Sequence, residues 1–328
     1  MEKSQIMMQQ PKIIEAFKQG FQTVSQRIYL VLFPLLLDLL FLFGPKIKIA
    51  KWFETSINNM PLPPLAENLK AQWLLIFEQM KTTAQNYNLL TVLRTKPLGL
   101  PSLFSDRIFE DLLIKNNLVV ETQTFSQTGL FFALFSLIGI GITVFFYQSI
   151  ANATPVKSEP TVRSKWAKVF LNFLVIPFAF FALLLIIFLP GMYIVSLAAV
   201  FIPMLGSLLL IGLLMLLISV LIPVVFTPHG IVFNNLTFKS ALQQSRHIVR
   251  QTRGKSSIFL LLAISISFFG NMLWNLPKDG SWMLIVGAVG HALITTIILV
   301  ASFYFFLDAQ KCASQVFEID IEPDRVAQ

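Results

Sequence analysis

Residues 169–238 read VFLNFLVIPFAFFALLLIIFLPGMYIVSLAAVFIPMLGSLLLIGLLMLLISVLIPVVFTPHGIVFNNLTF, seventy residues without one Asp, Glu, Lys or Arg. A membrane-spanning helix takes about 20 mostly apolar residues, so this run holds two crossings and a turn. Pro190-Gly191, near the middle, is the expected turn, because proline cannot continue a helical hydrogen-bond ladder and glycine tolerates turn backbone. Four other charge-poor runs flank this one. Arg27 to Lys46 encloses 18 residues whose only charge is Asp38, and Glu121 to Lys157 encloses 35. Lys255 to Lys278 encloses 22, and Asp279 to Asp308 encloses 28 with His291 among them. Each holds one span. The pattern predicts six transmembrane helices, near 28–44, 128–149, 167–189, 204–226, 257–276 and 282–307. The apolar stretch 192–203 is too short to cross beside its neighbours. It is expected to be a re-entrant or interfacial element, or an extension of a long, tilted fourth helix.

Composition agrees with this reading. Charged residues make up 13% of the 328, hydrophobic residues 55%, and phenylalanine alone contributes 32. An ordinary soluble domain carries roughly 25% charged residues, so the apolar surplus here is expected to face lipid. That excludes a cytosolic enzyme, a nucleic-acid binder and a disordered chain. The net charge of +8 is assigned to loops that orient the protein, with no nucleic-acid partner.

The basic residues are unevenly placed. Lys3, Lys12, Lys18 and Arg27 precede the first span, Lys157, Arg163, Lys165 and Lys168 follow the second, and Lys239, Arg246, Arg250, Arg253 and Lys255 follow the fourth. The alternate loops, 190–203 and 277–281, contain only Lys278. A basic excess marks the cytoplasmic side, so both termini are expected there, in the inner (cytoplasmic) membrane of a bacterium. The segment 46–127 is too long for its charge to vote. No cleavable signal is expected, since Pro45-Lys46 follows the first span where small residues would be needed. Cys312, the single cysteine, offers neither a disulfide nor a metal cluster.

The resulting organisation is a cytoplasmic amphipathic segment (1–27), a first transmembrane helix (28–45), an extracytoplasmic helical cap (46–127), a five-helix transmembrane bundle (128–307) and a cytoplasmic tail (308–328). The fold class is an all-α integral membrane bundle. In the cap, Leu65, Leu69, Trp73, Ile76, Phe77 and Met80 have helical spacing, with further helical pieces around 89–93 and 102–113. About 80 residues is small for an independent core, which favours a cap lying on the membrane over a separate binding domain. Two cytoplasmic stretches read as surface helices. One carries Ile13, Ile14, Phe17, Phe21 and Val24. The other, 237–253, carries Phe238, Leu242, Ser245 and Val249, flanked by the basic residues Lys239, Arg246, Arg250 and Arg253, with Lys255 following. Such a stripe beside a span suits the headgroup layer, and anionic lipid headgroups are the expected partners.

Motifs of chemistry are few. The chain contains no G-x-x-x-x-G-K-[ST], H-E-x-x-H, G-x-S-x-G or C-x-x-C sequence. No cofactor, metal site or enzymatic activity is expected, and His229, His247 and His291 are too scattered for a local metal motif. Gly139 and Gly141 read as packing positions within a span. Polar residues at membrane depth remain. Asp38 and His291 lie at similar depths from the outer ends of the first and sixth spans, with Asn271 in the fifth. Ser267 and Asn275 share the Asn271 face, while Gly287, Ala288 and Thr295 share that of His291. An intramembrane carboxylate is costly and by default marks a functional site or a buried pair. The expected cluster is therefore Asp38, Asn271, His291, Ser267 and Thr295. It serves either as a hydrogen-bonded clamp or as a site that handles protons or a solute.

The run Ala16-Phe17, Pro34-Leu35-Leu36-Leu37-Asp38, Phe43-Gly44-Pro45-Lys46 and the later Thr227-Pro228-His229-Gly230-Ile231-Val232, with Ala241, Ser245-Arg246 and Val249-Arg250 after it, resemble uncharacterised polytopic bacterial membrane proteins. Some of these are distantly similar to the membrane part of glycerophosphodiester phosphodiesterases. The resemblance implies a helical bundle of the cytoplasmic membrane. It does not imply phosphodiesterase activity, which belongs to a soluble barrel absent from this sequence. Two functions follow as expectations: transport or sensing of a small solute or lipid through the polar outer-half site, or a structural or assembly role without a transported ligand. An intramembrane lipid enzyme is the third and least supported, because no recognisable nucleophile adjoins a carboxylate or histidine pair.

Overall fold

The computed structural model describes residues 10–59, 67–108, 118–154 and 166–325. Their order is α1 (Ile13–Gln26), a 3-10 turn (Ile28–Val31), α2 (Leu32–Phe43), β1 (Lys46–Lys48), α3 (Ala50–Asn58) and α4 (Glu67–Asn86). A second 3-10 segment (Leu89–Arg94), β2 (Val119–Glu121), α5 (Phe125–Ala153) and α6 (Trp166–Leu183) follow. A π turn (Leu184–Phe188) then leads into α7 (Leu189–Phe201), α8 (Pro203–Phe233), α9 (Phe238–Gln251), α10 (Arg253–Trp274) and α11 (Met283–Arg325). The chain is an all-α membrane bundle. Among the described residues five helices are long and apolar enough to cross a membrane, or six if the pieces on either side of Arg27 make one span. The apolar window of α8 has a mean hydropathy of 3.1 and no buried residue, so its side chains need lipid around them.

One predicted boundary is corrected. The break in the seventy-residue run falls at Ile202-Pro203, while the helix passes straight through Pro190-Gly191. In a regular α-helix the Pro190 ring would collide with the carbonyl of Ile186. The π turn at Leu184–Phe188 shifts that ladder and lets the helix continue to Phe201. Ile202 is extended (φ −139°, ψ 96°), as a residue before proline prefers, and Pro203 opens α8 where its missing N–H costs nothing. The stretch 192–203 is thus mostly the end of the third span. Gly191 is a packing position: a Cβ there would lie 2.6 Å from Leu213 of α8. In the first span the 3-10 turn Ile28–Val31 runs directly into α2, whose 12 residues rise about 18 Å at 1.5 Å per residue.

Contacts divide the chain into two compact units. The first comprises residues 1–30, 143–268 and 295–328. Its core gathers Ala16, Phe226, Ile248, Val249, Phe259, Ala301, Phe305 and Phe306, with Phe259 and Phe305 stacked at 4.4 Å. Here α1 presents a face of small residues, Ala16, Gly20, Thr23 and Val24, to the protein. A Cβ on Gly20 would lie 2.9 Å from the Ile297 carbonyl oxygen, and Thr23 and Tyr304 share a hydrogen bond of 2.8 Å. The predicted surface stripe is therefore split: Ile14 and Phe21 are exposed, Val24 is buried, and Ile13 and Phe17 pack on the core.

The stripe of α9 is likewise shifted towards the protein. Ala241, Ser245, Ile248 and Val249 are buried, and the Ser245 hydroxyl donates to the carbonyl of Pro223 in α8. That face is occupied by protein, while Lys239, Arg246, Arg250 and Arg253 are exposed and Lys255 is half-buried.

The second unit comprises residues 31–142 and 269–294. The strands β1 and β2 pair in parallel, Lys46 with Val119 and Lys48 with Glu121. Asn88 fastens the 3-10 segment to this ladder, its Oδ1 accepting from the amides of Ile47 (3.0 Å) and Leu90 (3.2 Å). Leu89, Leu90, Leu93, Leu100, Leu103 and Phe104 are buried beneath. The predicted helix at 65–80 corresponds to α4 and the piece at 89–93 to the 3-10 segment. Residues 103–106 form a bend and turn rather than a helix, and the rest of the helix expected to 113 lies outside the described residues.

Candidate functional site

Asp38 lies on α2 within the second unit and is wholly buried. Three donors converge on its Oδ1: the Ser102 hydroxyl at 2.6 Å, the Leu103 amide at 2.9 Å and the Phe104 amide at 3.2 Å. The Ser102 Oγ in turn accepts from the Ser105 amide at 3.1 Å. The chain at 102–105 thus forms a tight turn whose opening amides point at the carboxylate, as they do towards a capping residue at a helix start. Pro101, unable to donate, precedes it. Across the carboxylate, Oδ2 lies 3.4 Å from Nδ1 of His291 on α11. That is an ion-pair distance and long for a hydrogen bond. His291 is also buried.

Of the residues expected to cluster, Asp38 and His291 lie beside each other. Asn271 is exposed on α10. Ser267 and Thr295 belong to the first unit. A Cβ on Gly287 would lie 2.6 Å from the carbonyl oxygen of Trp274, and one on Gly290 would lie 2.6 Å from its ring. Those positions receive the end of α10.

Ser102 was not legible as a partner, because 64 residues separate it from Asp38. The one local signal is Pro101-Ser102-x-x-Ser105, a turn signature without any indication of what it caps. A second missed contact is Arg107, whose Nη2 donates to Asp279 Oδ1 at 2.6 Å and to the Pro277 carbonyl at 2.7 Å. Nearby, Arg94 and Lys96 both grip Asp106, at 2.8 and 2.6 Å. Partial burial opposes ionisation of the Asp106 carboxyl, but the Lys96 hydrogen bond and both cationic charges outweigh it and hold the group below the usual carboxylate range.

Serine, aspartate and histidine in contact invite comparison with a catalytic triad. The order is wrong for one. In a triad histidine takes the serine proton and the carboxylate stands behind it. Here the serine hydroxyl donates directly to the carboxylate and its oxygen is used by the Ser105 amide. Ser102 is itself buried, so the hydroxyl is not presented to a substrate.

A second polar centre lies in the first unit, within the Thr227-Pro228-His229-Gly230 motif. His229 sits among Tyr147, Phe226, Phe303 and Phe306, with ring centroids 4.4 to 6.3 Å away. Its Nε2 lies 2.8 Å from the Ser302 hydroxyl, whose own proton is directed to the Leu299 carbonyl at 2.6 Å. Gly230 lets α9 approach, since a Cβ there would meet Gln244 at 2.9 Å. The motif thus packs α8 against its neighbours. Among the described residues no three His, Cys, Asp or Glu side chains are grouped to hold a metal ion. Comparison with protein-family models, curated proteins and solved structures finds no match to this chain.

Proposed function

We propose that this polytopic membrane protein is non-catalytic and serves a structural or assembly role, with Asp38 acting as the internal clamp that fastens the 102–105 turn to α2. The observation that carries the reading is the way the buried carboxylate is engaged: three protein donors converge on Oδ1, and His291 Nδ1 stands 3.4 Å from Oδ2. Transport or sensing through this point calls for a water-lined gap between Asp38 and His291, and 3.4 Å admits no solute. An unpaired buried carboxylate is expensive, whereas one that satisfies otherwise orphaned amides stabilises the turn that surrounds it.

Substitution of Asp38 by Asn separates the two roles in cells that depend on the gene. The amide oxygen still accepts from Ser102, Leu103 and Phe104, so a clamp retains the phenotype. Loss of the phenotype with normal accumulation of Asp38→Asn protein would assign the carboxylate to proton or cation handling instead.

The proposal places the protein in a bacterial cytoplasmic membrane with both termini in the cytoplasm and 46–127 outside, supported by the basic loops. In a Cys312→Ala background, a cysteine at Asn86 is expected to react with a membrane-impermeant thiol reagent in intact cells, and one at Ser240 is not. Both positions are exposed, so accessibility within the protein does not confound the comparison. Reaction at Ser240 would overturn the topology.

Anionic headgroups are the proposed partners of the exposed basic flank of α9, each basic residue near the surface contributing about 1 kcal/mol. Replacing Arg246, Arg250 and Arg253 together by Gln is expected to lower the anionic lipid retained on the purified full chain. Unchanged retention would remove α9 from lipid recognition.

A further inference from the structure

We infer that Lys46 and Lys48 form a binding site for a phosphate group, and that its occupant is a phospholipid. The two lysines are residues i and i+2 of β1, so their side chains leave the same face of the strand. They line a pocket of about 90 Å³ together with Asn86, Tyr87, Asn88 and Arg107, over an apolar floor that includes Phe41 and Phe104. Among the described residues neither lysine has a carboxylate within 4 Å. Asp279, the nearest acidic influence on Lys46, is already held by Arg107 at 2.6 Å. Partial burial and the neighbouring Lys48 charge push the Lys46 ammonium below the usual lysine range, and Asp279 only partly offsets them.

Two ammonium groups held side by side, partly out of water, repel each other unless an anion lies between them. The remaining lining groups suit an oxyanion. The Asn88 Oδ1 is spent on backbone amides, which leaves its NH₂ as a donor, and the Tyr87 hydroxyl adds another. The volume fits a tetrahedral anion and is far below the roughly 300 Å³ at which drug-sized ligand pockets begin.

Two observations point to a lipid as the source of the phosphate. Lys46 follows the apolar α2 by only three residues, which sets the site at the membrane–water boundary. Tyr87 also lines a second, larger pocket of about 440 Å³ between α3 and α4, walled mainly by apolar side chains such as Phe53, Ile76 and Met80. A phosphate at the lysines therefore has an apolar surface beside it for an acyl chain.

The test uses the purified full-length protein in a neutral maltoside detergent, titrated with dihexanoylphosphatidic acid, dihexanoylglycerol and inorganic phosphate and followed by native mass spectrometry. Phosphatidic acid is expected to bind and dihexanoylglycerol not to. Lys46→Gln/Lys48→Gln is expected to weaken the phosphatidic acid complex about tenfold or more, as loss of charge-assisted contacts does. Lys46→Arg/Lys48→Arg, which keeps the charge, should bind and shows that the site tolerates substitution without unfolding. Lys311→Gln, at an exposed position of α11, should leave the complex unchanged. Inorganic phosphate that binds as tightly as phosphatidic acid would overturn the lipid as occupant while keeping the phosphate site. Equal binding of phosphatidic acid to the wild type and the Gln variant, or no binding to either, would overturn the site itself.

Discussion

Asp38→Ala is expected to lower the stability of the detergent-solubilised protein by about 3–5 kcal/mol, the cost of stranding several buried donors at once. The Ser102 hydroxyl and the amides of Leu103 and Phe104 all lose their acceptor. Asp38→Asn keeps an oxygen in position and should cost far less. Ser102→Ala removes one donor and should cost about 1 kcal/mol. The double variant Asp38→Ala/Ser102→Ala is expected to lose less than the sum, because one stranded donor is gone. Removing His291 along with Asp38 brings no such relief, since it leaves all three donors unsatisfied. Denaturant unfolding followed by tryptophan fluorescence measures these differences. Equal losses for Asp38→Ala and Asp38→Asn would show that the charge, rather than the acceptor geometry, is what the fold requires.

Gly139 on α5 is the second sensitive point. A Cβ there would lie 2.4 Å from the carbonyl oxygen of Leu93 and 2.9 Å from its carbonyl carbon and Cα. These are backbone atoms of a segment tied down by Asn88, so they cannot swing aside as a side-chain tip would. Gly139→Val is therefore expected to destabilise by about 3 kcal/mol, at the upper end of overpacking effects. Gly129, ten residues earlier in the same helix, has nothing within 4 Å of such a Cβ. Gly129→Ala should be neutral or stabilising by up to about 1 kcal/mol through helix propensity alone. Thermal midpoints of the two variants in one detergent make the comparison, and equal losses at both sites would mean that the close approach of Leu93 is not a constraint.

The bundle was legible because absence of charge over about 20 residues is a one-dimensional signal with one physical cause, the lipid core. Helix existence therefore followed for α5, α6, α8, α10 and α11. The turn at Pro190 was misplaced because a proline stops a helix only if the ladder before it stays regular, and the π turn at Leu184–Phe188 removes that condition. The stripes of α1 and α9 were read by hydrophobicity, yet the faces that pack are lined by Ala16, Gly20, Ala241 and Ser245. Close helix approach selects small residues rather than greasy ones. At the site, depth arithmetic brought Asp38 and His291 together because both lie on regular helices of known rise. The same arithmetic misplaced Asn271, since depth says nothing about which way a helix face turns. Ser102, Leu103 and Phe104 were out of reach for another reason. Two of them act through their backbone amides, which every residue carries, and they arrive from a loop that has no period to count.

The clamp is tested most directly by amide hydrogen exchange at Leu103 and Phe104 in the membrane-embedded protein. Their amides are expected to be protected in the wild type, to remain largely protected in Asp38→Asn, and to exchange rapidly in Asp38→Ala while α5 and α11 stay protected. Fast exchange at both positions in the wild type, or protection that survives in Asp38→Ala, would contradict the assignment of Asp38 as the group that holds this turn.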